Sequence, residues 1–352
     1  MPGICFVGLG LGGSKGLSIE GLETLKTCDI IYLERYTTPG CPTVEDMEGL
    51  LDKKVILVSR EFLEDGRIII KESRDKLVGL LIAGDPMVAT THSELRIRVQ
   101  KEGEETRIIH GSSIISSIAG ETGLQAYRFG KSVTVTDSPP SSLATVYETV
   151  QKNLLQGLHS LIFFEWIEEN KLLEPKVALS RLIESEADFR LGIFNPDLFV
   201  VIVARLGQAT QLMRSGKLSF MKDQDYGEPP FSLVIPGKLH FTEKEALEAF
   251  AGLDETTFQD NTKLVRSRAR IIVPTYIKNT RAAIQKVRKN IDSDSRTNIT
   301  HFADLMENVE CYTSDSERFL NEGKEELAIL SIGYAEGLLD ALRFMGLIES
   351  PW

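Results

Sequence analysis

Cysteine and histidine are scarce in this chain. Four cysteines (Cys5, Cys28, Cys41, Cys311) and five histidines are scattered over 352 residues, with no CxxC pair and no ligand-like spacing. That scatter excludes a disulfide framework and argues against a structural metal, so the expectation is a reduced, metal-free protein. No apolar run approaches the length of a membrane span. Met1-Pro2-Gly3 leads straight into an apolar strand, which leaves no room for a signal peptide and makes a cytoplasmic location the expectation. Basic excess is also missing: 40 Lys and Arg face 51 Asp and Glu, for a net charge of -11. Wholesale coating of nucleic acid is thereby excluded, though a local basic patch is not. No Ser-His-Asp or Cys-His constellation, internal repeat or low-complexity tract stands out. What remains is ordinary globular composition, 42% hydrophobic and 26% charged, in a chain long enough for two or three domains.

Up to about residue 250 the pattern alternates strand and helix. Apolar strands are expected at Ile4 to Leu9, Asp29 to Glu34, Lys54 to Val58, Leu77 to Ala83 and up to Ile109. Helices are expected at Ser18 to Cys28, with Ser18 as N-cap, at Ser93 to Lys101, and after His110-Gly111-Ser112-Ser113. Short βα connections of this kind favour a largely parallel sheet covered by helices. A crossover at Gly123 to Pro140 leads to a second block, with strands at Val133 to Thr136, His159 to Phe164, Leu198 to Ala204 and Phe231 to Ile235. Its helices are expected at Leu143 to Leu155, Lys176 to Glu186 and Glu243 to Phe250. Gln208 to Met221, containing Gly216, reads as a hairpin, so this second sheet is expected to be mixed. From about residue 256 only helical periodicity remains. Phe302, Leu305, Met306, Val309 and Tyr312 share one face, as do Leu327, Leu330, Tyr334, Leu338 and Met345. Gly323 is a natural stop between the two, and Pro274 lies near the start of the first long helix. The reading is an α/β protein of two lobes, 1–112 and 113–255, followed by an all-α domain over 256–352.

Two glycine-bearing segments carry chemistry. Gly8, Gly10 and Gly13 fit the G-x-G-x-x-G dinucleotide fingerprint, with Glu34 placed for a ribose hydroxyl. Ser14-Lys15-Gly16-Leu17 weakens that NAD reading, because it holds the helix N-terminus away from a pyrophosphate. The second segment, Gly84-Asp85-Pro86-Met87-Val88-Ala89-Thr90-Thr91-His92, follows an apolar strand and precedes a helix. Glycine permits close backbone approach, proline fixes the turn, and Asp85 sets a carboxylate at a strand's carboxyl end, where open α/β sheets bind ligands. Such a loop suits a polar, partly cationic small molecule; a ligand-free turn fits the spacing equally well.

Read through their neighbours, these segments resemble a known family. Val7-Gly8-Leu9-Gly10-Leu11, Gly21-Leu22-Glu23, Tyr36-Thr37-Thr38, the run Gly84 to Arg98, and Ile109-His110-Gly111-Ser112-Ser113-Ile114 resemble the diphthine synthases. So do Gly123 to Ser132, Ala204-Arg205-Leu206-Gly207 and Pro236-Gly237-Lys238-Leu239-His240. These are S-adenosylmethionine (SAM) methyltransferases of the tetrapyrrole-methylase-like class. Gly-Asp-Pro is shared by the wider class; the extension through Ala-Thr-Thr-His is specific to this family.

The resemblance implies a cofactor pocket between two α/β lobes, contacted largely by backbone. It assigns SAM to Leu11, Asp85, Val88, Ser113, Ile114, Phe164, Leu206, Gly207 and Ser232. It also implies elongation factor 2 as protein substrate, methylated repeatedly on the amine of a modified histidine, and a homodimer through the α/β lobes. Three positions depart from the family: Ser232 replaces an apolar residue, Gly12-Gly13 stand where an acid is common, and Glu165 replaces an aspartate. An in-line methyl transfer to a neutral amine needs positioning more than a strong general base. Accordingly no catalytic side chain is assigned. His92 and His110 lie nearest the pocket and read first as structural hydrogen-bonding residues.

The last segment resembles an archaeal helical domain of unknown function, through Leu320 to Gly323, Ala328 to Leu330 and Gly333 to Ala341. The stretch Asn261 to Ile291 carries nine Lys or Arg, among them Lys263, Arg266, Arg268, Arg270, Arg281 and Lys289, and no acid. The favoured reading is a basic helix facing the acidic one with Glu307, Glu310, Asp315 and Glu317. A contact with an acidic partner, ribosomal RNA or the elongation factor, is the other. Rival readings of the whole chain are a sister tetrapyrrole or ribosomal-RNA methylase, an NAD-binding oxidoreductase, and a non-catalytic scaffold.

Overall fold

The structure, a computed structural model, describes residues 2–34, 42–88, 90–168, 171–254, 258–265, 267–291 and 302–348. The Tyr36-Thr37-Thr38 segment and Cys41 lie outside the described residues. The chain divides into two compact units, Met1–Leu264 and Val265–Trp352.

The first lobe follows the apolar runs. In chain order it holds β1 (Gly3–Gly8), α1 (Ile19–Thr27), β2 (Ile30–Glu34), α2 (Val44–Leu51), β3 (Ile56–Val58), α3 (Arg60–Asp65), α4 (Arg67–Ser73), β4 (Leu77–Ile82), α5 (His92–Lys101) and β5 (Thr106–Ile109). The five strands form one sheet in the order β3-β2-β4-β1-β5. Every pairing in it is parallel. Because side chains alternate across a strand, β1 splits its apolar residues. Ile4 and Phe6 pack with Val78, Leu80 and Val99 on one face; Cys5 and Val7 pack with Leu25, Ile31 and Met47 on the other. Ser18 caps α1, its hydroxyl accepting from the Gly21 N–H at 3.0 Å.

The second lobe contains α6 (Ile114–Thr122), β6 (Val133–Val135), α7 (Ala144–Leu155), β7 (Ser160–Phe164), a small hairpin of β8 (Trp166–Glu168) and β9 (Lys171–Leu172), and α8 (Pro175–Phe189). It continues with β10 (Phe199–Ala204), β11 (Leu212–Lys217), α9 (Leu218–Met221), β12 (Phe231–Ile235) and α10 (Phe241–Ala251). Its sheet runs β11-β10-β12-β7-β6 and is mixed as expected, with only β6 and β7 parallel. The hairpin expected inside 208–221 is a different one. β11 pairs antiparallel with β10, and Gly216 sits in the strand opposite Val200 rather than in a turn.

The chain beyond α10 still belongs to this unit. Asn261, buried, accepts from the Phe199 N–H at 2.8 Å and donates to the carbonyls of Phe199 (2.7 Å) and Pro236 (2.8 Å). One amide thereby closes the backbone groups of two strand ends.

The second unit is three helices: α11 (Arg268–Ile291), α12 (Phe302–Asn321) and α13 (Glu325–Phe344). Pro274 lies within α11. The core of this unit joins Val273, Ile277 and Ile284 to Phe302, Met306 and Val309 and to Ala328, Ile332, Ala335 and Leu339. The apolar face that the sequence shows on α13 is not the one that packs. Leu330, Tyr334 and Met345 are more than half exposed, and Leu338 sits at the core margin. The helix is apolar on two sides, and the side with Ala328 and Ala335 lets a neighbour approach closely. Basic α11 faces acid, as favoured: Arg281 pairs with Glu317 (2.5 Å), Arg288 with Glu310 (2.5 Å) and Arg270 with Glu325 (2.8 Å). No helix among the described residues is long and apolar enough to cross a membrane.

Candidate active site

Three turns meet at the carboxyl ends of β1, β4 and β5. A Cβ on Gly8 would lie 2.6 Å from the Gly111 nitrogen and 2.7 Å from the Gly84 oxygen; one on Gly111 would lie 2.5 Å from that same oxygen. Only glycine fits where backbones cross this closely. Gly10 and Gly84 exchange two hydrogen bonds, N–H to O at 3.0 and 2.9 Å, and the Leu11 N–H donates to Ser112 Oγ at 3.2 Å. The glycine-rich first turn is thus a splice between loops.

It is not arranged as a dinucleotide loop. A short 3-10 turn at Gly13–Gly16 precedes α1. Glu34, expected to reach a ribose under the NAD reading, is fully buried with Oε2 3.7 Å from His92 Nε2.

The Gly-Asp-Pro turn is held by its own polar groups. Asp85 Oδ1 accepts from the Met87 N–H at 2.9 Å, and Oδ2 sits 2.7 Å from His110 Nδ1. His92 is buried, with Nδ1 2.6 Å from Thr90 Oγ1 and 3.3 Å from the Pro86 carbonyl. Burial lowers its pKa to about 4, outweighing the opposing pull of that carbonyl. His92 is therefore a neutral residue that secures the loop. His110 is largely exposed beside Asp85.

These turns and the ends of the second sheet enclose a pocket of about 760 Å³. Leu11, Asp85, Val88, Ser113, Ile114, Phe164, Leu206 and Ser232 all line it. Gly207 lines an adjoining hollow of about 650 Å³ that shares Leu11 and Leu206 with the first. The two lobes touch here: a Cβ on Gly207 would stand 2.8 Å from Leu11 Cβ. Ser113 is the N-cap of α6, its Oγ accepting from the Ser116 N–H at 3.4 Å.

Sequence reasoning did not single out the residue that holds Leu206 in place. Arg205 adopts φ +51, and its guanidinium donates to the carbonyls of Thr210 (3.0 Å), Tyr226 (2.8 Å) and Glu228. Left-handed backbone at a non-glycine residue costs on the order of 1 kcal/mol, which these bonds offset. Its only sequence signal was its place in the Ala-Arg-Leu-Gly block. Trp166 and Phe231 also line the pocket without having been singled out.

The paired lobes, with turns converging on one cleft, define a methylase-type α/β protein. Residues 3–221 match the family Tetrapyrrole (Corrin/Porphyrin) Methylases, and residues 275–348 match Protein of unknown function (DUF357). The chain is 41% identical to a diphthine synthase of Methanosarcina mazei, over 70% of this chain and 96% of that one. It is 34% identical to one of Methanosphaera stadtmanae, over 72% of this chain and 98% of that one. A crystal structure of diphthine synthase superposes with TM-score 0.66 at 36% identity, covering 74% of this chain and 99% of its own. A putative diphthine synthase from Entamoeba histolytica superposes with TM-score 0.64 at 32% identity, covering 71% and 99%. The chain belongs to the diphthine synthases of the tetrapyrrole methylase family.

Proposed function

We propose that this chain transfers methyl groups from SAM to the amine of the modified histidine on elongation factor 2, the diphthine synthase reaction of diphthamide biosynthesis. One observation carries the proposal. Eight of the nine residues that the family resemblance assigns to the cofactor, spread from position 11 to position 232, line a single pocket, and the ninth, Gly207, lines the hollow that adjoins it. Its volume is in the range of small-molecule sites, and its largely apolar walls carry a few polar groups, which fits an adenosyl cofactor. Leu11, Asp85, Val88, Ser113, Ile114, Phe164, Leu206, Gly207 and Ser232 would hold it, within a cleft formed by lobes 1–112 and 113–255.

The bound cofactor supplies an electrophilic methyl on a sulfonium. The protein's part is positional. The spliced turns after β1, β4 and β5 present rigid backbone, and Asp85 spends its oxygens ordering the turn that carries Val88. A buried, neutral His92 fixes the far end of that turn without adding positive charge beside a cationic ligand. The amine must be neutral when it attacks, a state water supplies without a strong base. The family resemblance also supports a homodimer.

Calorimetry with S-adenosylhomocysteine and with NAD tests the cofactor, and methyl transfer to elongation factor 2 carrying the unmethylated histidine modification tests the reaction. Binding of the homocysteine nucleoside together with transfer is expected. Tight NAD binding without nucleoside binding would sink the proposal.

A further inference from the structure

The proposed transfer leaves a cation where there was a neutral amine. The amine lone pair forms the new N–C bond, the C–S pair returns to sulfur, and the positive charge passes from sulfur to nitrogen. The nitrogen must approach to about 3–3.5 Å of the donated carbon, so the acceptor subsite is contiguous with the cofactor residues. A wall of carboxylate and aromatic faces at that spot stabilises the arriving charge.

The pocket has such a wall at the end of β7. Phe163, Glu165, Trp166 and Phe231 line it beside the cofactor positions Phe164 and Ser232. Phe164 and Phe231 meet edge to face, centroids 6.2 Å apart. Glu165 is held at three points: its N–H donates to the Val135 carbonyl (3.0 Å), its carbonyl accepts from the Leu173 N–H (2.8 Å), and Oε2 accepts from the Asp137 N–H (2.7 Å). Oε1 has no hydrogen-bond partner among the described residues. The carboxylate is therefore oriented in advance with one oxygen left for a cation. The pocket's sign agrees: Glu61, Asp85 and Glu165 line it against Arg60, which pairs with Glu64 at 2.7 Å.

We infer that Glu165 and Trp166 form the subsite that receives the acceptor's alkylammonium. Indole is the strongest of the aromatic faces toward such cations. The subsite holds the methylated nitrogen between transfers, while each new ammonium gives its proton to solvent before attacking again. This rests on the methyltransferase reading above.

The test uses the full-length enzyme and elongation factor 2 bearing the unmethylated modification, with Trp166→Leu and the shape-conserving Glu165→Gln. Mass spectrometry reads the methyl-state distribution, and calorimetry reads S-adenosylhomocysteine affinity. Each variant is expected to slow transfer roughly tenfold and stall at lower methyl states, while nucleoside affinity stays within about twofold. Unchanged rates and distributions in both variants would overturn the inference. So would nucleoside affinity falling in step with the rate, which would place the pair under the cofactor. A wild-type enzyme that binds no nucleoside removes the methyltransferase reading itself, and this inference with it.

Discussion

The two units of the chain solve different problems with different buried groups. In the α/β unit, charged or amphoteric side chains lie inside: Glu34, Asp85, His92, His159 and Glu243 are all buried. In the helical unit the buried polar side chains among the described residues are hydroxyls, Thr280, Thr313, Ser316 and Ser331. Thr313 donates to the Val309 carbonyl one turn back, and Ser316 to the Ala328 carbonyl across α12 and α13, each at 2.7 Å. None of its charged side chains among the described residues is fully buried, though burial raises the pKa of the Glu336 carboxyl and shuts Asp340 Oδ1 and Arg343 Nε off from solvent. A bundle of amphipathic helices is specified by apolar stripes alone. A pocket built from turns needs irregular backbone held in place, and irregular backbone needs buried polar partners.

Glu243 is the most heavily used of these partners. Oε1 accepts from the Gln125 N–H and from His159 Nε2, both at 2.9 Å; Oε2 accepts from the His240 N–H and from Arg128, both at 2.7 Å. His159 Nδ1 in turn accepts from the Gly237 N–H at 2.9 Å, which fixes the neutral tautomer with its proton on Nε2. One carboxylate thus ties the 125–128 turn, β7 and the start of α10. Glu243→Ala leaves the buried His159 imidazole, the partly buried Arg128 guanidinium and two amides without this acceptor, a loss of about 3–5 kcal/mol. Urea unfolding should show the α/β transition moving to lower denaturant while the helical transition stays in place. Equal movement of both would break the contrast between the units.

Acid should separate the units next. His92 has its pKa lowered from 6.5 to about 4 by burial, and His159 is lowered by burial against the raising pull of Glu243. Both histidines bind protons more readily unfolded than folded, so stability is complete above about pH 6.5 and falls as pH drops below it. For His92 the window runs from 6.5 down to about 4. The slope is about 1.4 kcal/mol per pH unit for each group within its window. Burial would raise Glu243, but N–H donors from Gln125 and His240, and then His159, hold it below its usual range, which extends the loss to more acid pH. Urea midpoints at pH 7.5, 6 and 5 should fall for the α/β unit. A midpoint flat from pH 7.5 to 5 would mean that folding does not lower the pKa of either histidine.

How much of this was legible follows the same divide. β1, β4 and β10 were visible because apolar runs ended by glycine or a turn residue are local signals. α3 and α4 were missed because Gly66, at φ +63, splits them into pieces too short to show a helical period. The partner of β11 was misread because pairing is non-local, whereas a glycine in a strand mimics a turn. The pocket was least legible of all. Its residues lie as far apart as Leu11 and Ser232, and only the family resemblance joined them before the strand ends did. Trp166 and Arg205 carry no spacing signal: one is a lone aromatic in a three-residue strand, and the other acts through a left-handed turn that periodicity does not encode. On α13, two apolar stripes were available, and packing against a neighbour with Ala328 and Ala335 decided between them.

The smallest effect is expected at the ion pairs of the helical unit. Arg281–Glu317 and Arg288–Glu310 are short, but each partner keeps a third or more of its side chain in solvent. Screened by water and salt, such pairs contribute about 0.2–1 kcal/mol apiece. Arg281→Ala with Arg288→Ala should therefore lower the helical midpoint slightly in low salt and leave it unchanged near 1 M salt. A loss above about 2 kcal/mol that persists in salt would be too large for exposed pairs. The apolar stripe through Val273, Ile277 and Ile284 would then not suffice to hold α11, and the helical unit would depend, like the α/β unit, on charge at its contacts.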